Sequence, residues 1–104
     1  MAIHRGISLY SYQQSYYLGQ LDLEGCVAAA AATGAKGIEL IPEQMPVGRF
    51  PDPTPDHIAW WKDLMAKYNV VPTCMDSFID FKLYASRRRN LTLQEQVKMM
   101  ERDL

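Results

Sequence analysis

Three short runs in this chain read as strands, beginning near residues 6, 37 and 70, and each is followed by a helical pattern. The recurrence is roughly thirty residues, the length that a strand, a crossover helix and a returning strand require. Such alternation favours right-handed βαβ units and a parallel sheet, because the helix that returns the chain must lie against one sheet face.

The first strand is expected over about 4–12, where Ile7 and Leu9 alternate with Gly6, Ser8 and Tyr10. A helix over about 22–34 follows. Asp22 caps it, and Leu23, Cys26, Val27, Ala30 and Ala31 form one stripe at helical spacing. Leu21 and Cys26 hold the two positions of a hydrophobic staple, and Gly34 stands where a left-handed residue ends a helix. The second strand is "GIELI" at 37–41, followed by a proline-rich stretch from Pro42 to Pro55. Thr54 before Pro55 starts the next helix, expected over about 54–68. Its core face is Ile58, Trp61, Leu64, Met65 and Tyr68, and Asn69 ends it. "VVPTCM" at 70–75 is the third strand, although Pro72 removes one ladder donor. Thr92 and Glu95 then form a capping box for a helix carrying Leu93, Val97, Met100 and Leu104 on one side.

The two sheet faces differ sharply. Ile7, Leu9, Ile38 and Leu40 share one face, which the helices cover. Gly6, Ser8, Tyr10, Gly37, Glu39 and Ile41 share the other, too polar for a second helical layer. A parallel sheet normally has both faces covered. This asymmetry favours the wall of a barrel, whose second face points inward and lines a site near the strands' C-terminal ends. The expected fold is therefore α/β, the first three βα units of a (β/α)8 TIM barrel with helices outside. At 104 residues the chain falls far short of the ~250 of a closed barrel, so it reads as the N-terminal part of a larger one.

Composition narrows the function classes. Eleven basic and twelve acidic residues give a net charge of −1, so no global field draws the chain to nucleic acid or an anionic membrane. No apolar run reaches the 18 or so residues of a membrane span, and the N-terminus lacks a signal-peptide layout, so cytoplasmic residence is expected. Cys26 and Cys74 are the two cysteines, read most simply as buried, reduced thiols; a disulfide or metal pair would need them close in space.

Position along the strands sorts the polar residues. Tyr10, Tyr12, Gln13 and Gln14 close the first strand, Glu39 faces inward on the second, and Glu43 and Gln44 follow it. Asp76 and Asp80 follow the third. Glu39 stands out because a carboxylate between Ile38 and Leu40 must face away from the helices and needs a partner there. That partner is an interior Lys or Arg in a structural ion pair, a sugar hydroxyl, or a group beside a metal. Tyrosines at a barrel mouth either plug it or offer rings and hydroxyls to carbohydrate, which has apolar C–H faces and polar edges. His4 and His57 lie outside such a site, in surface or capping positions, and Arg87 to Arg89 read as a solvated loop.

"GISLYSYQ" as first strand, "ATGAKGIEL" as helix end and second strand, and "LTLQEQVKMMERDL" as third helix resemble the xylose isomerase-like TIM barrels. "LYSYQ" with "PEQM" looks closer to the catalytic subunits of C-glycoside deglycosidases, a branch of that superfamily. The resemblance implies a metal-dependent sugar or sugar phosphate isomerase or epimerase, moving a proton beside a carbonyl, or a deglycosidase subunit. It also implies a divalent metal (Mn, Mg, Co or Zn) in the complete protein, with ligands and catalytic groups on later strands and none in this segment. The share expected of this chain is substrate lining by Tyr10, Tyr12, Gln13, Glu39 and Glu43, and alone it is expected to be inactive. Its expected partners are a carbohydrate and the rest of the barrel or a partner subunit, with a homo-oligomer open. An endonuclease IV-like repair enzyme is disfavoured, since "CMDSFIDF" lacks the histidine that family places after the third strand. A non-catalytic docking subunit is the rival from another class.

Overall fold

The computed structural model describes residues 3–41, 52–76 and 92–103. Three strands, β1 (Gly6–Ser8), β2 (Gly37–Leu40) and β3 (Val71–Met75), form one parallel sheet in the order β1-β2-β3. Around it stand a 3-10 turn (Leu9–Tyr12), α1 (Gln13–Tyr17), α2 (Leu23–Ala32), α3 (Pro55–Tyr68) and α4 (Leu93–Asp103). The architecture is mixed α/β with a parallel sheet.

The helices are set by their ends. Asp22 accepts the Gly25 N–H at 2.7 Å and starts α2, and Gly34, at φ 85, ends it beyond Thr33. Thr54 accepts the His57 N–H and Pro55 opens α3. Asn69 closes α3 at φ 52, a left-handed conformation that asparagine tolerates better than most residues. Thr92 and Glu95 cap α4 reciprocally: Thr92 N–H donates to Glu95 Oε2 at 2.9 Å, and Glu95 N–H to Thr92 Oγ1 at 3.2 Å.

Between α2, α3 and the sheet lies a core of Leu9, Leu23, Cys26, Val27, Ala30, Ile38, Ile41, Leu64, Met65 and Val70. Full burial of a side chain such as Val27 or Ile38 stabilises by about 1.5–3 kcal/mol. On the outside, Glu24 of α2 accepts hydrogen bonds from Lys67 Nζ at 2.6 Å and Tyr68 OH at 2.9 Å, clamping α2 to the end of α3.

Several expectations change. The first strand stops at Ser8 rather than near residue 12, because the Ser8 hydroxyl accepts the Tyr10 N–H and turns the chain into a 3-10 helix. Ile41, assigned by alternation to the polar face, is buried in the core, since β2 ends at Leu40 and strand parity no longer applies. Ile58 is exposed instead of lining the core face of α3, and Cys74 is exposed instead of buried. The amphipathic stripe of α4 also lies open, with Leu93 75% exposed and Val97 and Met100 accessible.

Pro72 is accommodated on the edge strand. The ladder to β2 pairs Ile38 with Pro72 and Glu39 with Cys74, so Thr73 is an extra residue in a bulge. Its hydroxyl donates to the Ile38 carbonyl at 3.3 Å, and its Cγ2 would lie 2.7 Å from a Cβ added at Gly37. Gly37→Ala should therefore destabilise the chain by about 1–3 kcal/mol through overpacking. Thr73→Ser, which removes the offending methyl, should recover most of that loss in a urea titration. The α2–α3 clamp sets a pH response. Its two donors hold Glu24 below the ordinary 4.5, the larger effect coming from Lys67. A carboxylate with a lowered folded pKa stabilises above its unfolded value and loses that contribution as pH falls through the folded one. Glu24→Gln should flatten the fall in thermal midpoint below about pH 4.5.

Candidate functional site

The polar face of the sheet is built by parity. Ser8 lies opposite Glu39 in the β1–β2 register, and Gly6 lies opposite Gly37. Ser8 Oγ donates to Glu39 Oε1 at 2.9 Å, a half-buried bond between neighbouring strands. The interior Lys or Arg considered as a partner for Glu39 is absent among the described residues; the partner is a neutral hydroxyl. Glu39 thus keeps Oε2 without a protein partner among those residues.

The same Ser8 oxygen accepts the Tyr10 N–H at 3.2 Å, and the Gln13 N–H donates to the Tyr10 carbonyl. Glu39, Ser8, Tyr10 and Gln13 are therefore connected through one run of hydrogen bonds. Tyr10 presents its ring to solvent at 62% exposure, whereas Tyr12 is half-buried and packs on the core, so the turn separates two rings that a strand would have aligned. Tyr16 and Tyr17 meet edge to face at 5.6 Å, with Tyr16 against the core and Tyr17 exposed. Asp76 is exposed and donates its N–H to the Leu40 carbonyl at 2.9 Å. Glu43, Gln44, Asp80 and Arg87 to Arg89 lie outside the described residues.

Other polar groups resolve as structural. His57 is half-buried and not a surface group: its Nε2 accepts the Trp61 indole N–H at 3.1 Å and its ring stacks on Trp60 at 5.7 Å. Burial, followed by the nearby Asp22, pushes the Cys26 thiol up, leaving it protonated and inert. A cavity of about 700 Å³ opens at the other end of the sheet, between Arg5, Lys36, Gly37 and Thr73. No proposed substrate residue lines it. Of its two cations, Lys36 lies between α2 and β2, and Arg5 immediately precedes β1. Among the described residues no three of His, Cys, Asp and Glu converge as metal ligands, and no helix is long and apolar enough to cross a membrane.

Ser8 is the residue that strand patterning undervalued. Alternation places it on the polar face, but only the register brings it level with Glu39.

No family model matches the chain. It is 32% identical over 88 residues to the C-glycoside deglycosidase alpha subunit of Arthrobacter globiformis, a match covering 83% of this chain and 24% of that protein. The chain thus spans about a quarter of the length of this curated relative. The relationship is distant, and it links the chain to a subunit of an enzyme.

The exposures of the two rings lead to a direct expectation. Tyr12→Ala should lower stability by about 1–3 kcal/mol through lost core contact, whereas Tyr10→Ala should stay within about 0.5 kcal/mol of the parent. Parallel urea titrations of the two variants check this.

Proposed function

We propose that this chain forms a substrate-facing wall of a carbohydrate-active enzyme of the C-glycoside deglycosidase kind. The observation that carries the reading is the Glu39 carboxylate, fixed by Ser8 on an open polar face beside the tyrosine-bearing turn. The likeness to a deglycosidase alpha subunit supports it, and favours that reaction over a sugar isomerase or epimerase.

The roles follow from the chemistry of the groups. Glu39 accepts hydrogen bonds from sugar hydroxyls through the oxygen that Ser8 leaves free. Tyr10 offers an exposed ring to the apolar C–H face of a sugar, and Tyr12, seated on the core, holds the turn in place. Gln13, bonded to the Tyr10 carbonyl, extends the lining. The whole enzyme would move a proton beside a carbonyl, and a divalent metal belongs to the proposal for that whole. Its ligands would come from outside the described residues, among which no ligand set converges. The three strands would be the first of a (β/α)8 barrel, continued by further chain or by a partner subunit, in keeping with the relative's description as an alpha subunit.

The test is Glu39→Gln in the full-length protein, with phenyl C-glucoside as probe in titration calorimetry. A lost charge-assisted hydrogen bond should weaken binding about tenfold, with a thermal midpoint close to the parent's. Unchanged affinity would show that Glu39 does not face the sugar.

A further inference from the structure

We propose that Ser8 is a positioning residue, coupling the Glu39 carboxylate to the tyrosine-bearing turn so that both halves of the wall are set before a ligand arrives. The proposal rests on the reading of this face as a carbohydrate site.

A serine hydroxyl has one proton to give and two lone pairs. At Ser8 the proton goes to Glu39 Oε1 at 2.9 Å, and a lone pair receives the Tyr10 N–H at 3.2 Å. The two bonds reinforce each other, because donation to a carboxylate enriches the hydroxyl oxygen as an acceptor. Each does separate work. The bond to Tyr10 ends β1 and starts the 3-10 turn, which fixes where the Tyr10 ring stands. The bond to Glu39 reaches across to β2 and selects one carboxylate orientation.

Position makes the coupling possible. Ser8 is the last residue of β1 and lies level with Glu39 in the parallel register. A hydroxyl one residue earlier or later would sit on the helix-covered face. Glutamate has several rotatable bonds, and ordering it at the moment of binding would cost affinity. Ser8 removes that cost while occupying one oxygen only. The free oxygen then requires a ligand that donates a hydrogen bond, such as a polyol hydroxyl.

Ser8→Ala and Ser8→Thr in the full chain separate this role from simple turn capping. In Ser8→Ala, three-bond NMR couplings should show Glu39 averaging over several rotamers, Tyr10 amide exchange should quicken about tenfold, and phenyl C-glucoside should bind roughly three- to tenfold more weakly. Ser8→Thr, which keeps the hydroxyl, should restore all three. Should Ser8→Ala fail to fold, Ser8→Cys makes the same test with a weak donor of similar size. A single Glu39 rotamer persisting in Ser8→Ala or Ser8→Cys would overturn the positioning role and leave the carbohydrate reading intact. Dispersed Glu39 rotamers together with an unchanged affinity for Glu39→Gln would overturn the carbohydrate reading, and with it any role for Ser8 in binding.

Discussion

The packing of Ile38 beneath the helices is the constraint on which the rest of the structure depends. β2 is the central strand, bonded on both sides, and Ile38 at its middle is completely buried. Once that side chain faces the helices, strand parity turns Glu39 to the other face and brings Gly37 beneath Thr73. A one-residue slip of β2 would place a carboxylate in the apolar core and an isoleucine on the open face. Both errors are costly, so the register of the central strand and the location of Glu39 are one decision.

Local chemistry decides everything at the sheet's margins. Thr73 shows how: where Pro72 has no N–H to offer, the bulge brings a hydroxyl to the Ile38 carbonyl. Ser8 does the comparable thing at the other edge, where a hydroxyl ends the strand by capturing the N–H two residues on. In both cases a short polar side chain competes with the ladder and wins, because an edge position has slack that the central strand lacks.

The same division explains what could be read directly from the residues. The helix ends at Asp22, Gly34, Thr54, Asn69 and Thr92 are local devices, complete within a few residues, and the structure places them where their chemistry indicates. The short β2 strand and its buried Ile38 follow from alternation. Alternation misled where a local bond or a strand end cancels it: at Tyr10 and Tyr12, carried by a turn, and at Ile41, one residue past β2. Cys74 and Ile58 were misassigned because exposure depends on what other elements cover, which periodicity does not encode. Glu39 was visible as an out-of-place carboxylate, while its bond to Ser8 waited on a register formed between residues 31 positions apart.

The exits of α2 and α3 share a design with a consequence for the protein's descent. Each helix ends near a left-handed residue, Gly34 or Asn69, and delivers the chain to the next strand within a few residues. Connections that short have their lengths dictated by geometry, so an insertion there would displace a strand. The sequence separating β2 from α3, and β3 from α4, is several times longer, and a change of length costs little in a long connection. Related sequences should therefore align without gaps along one rim of the sheet and differ in length along the other, the rim toward which the Glu39 end of β2 runs.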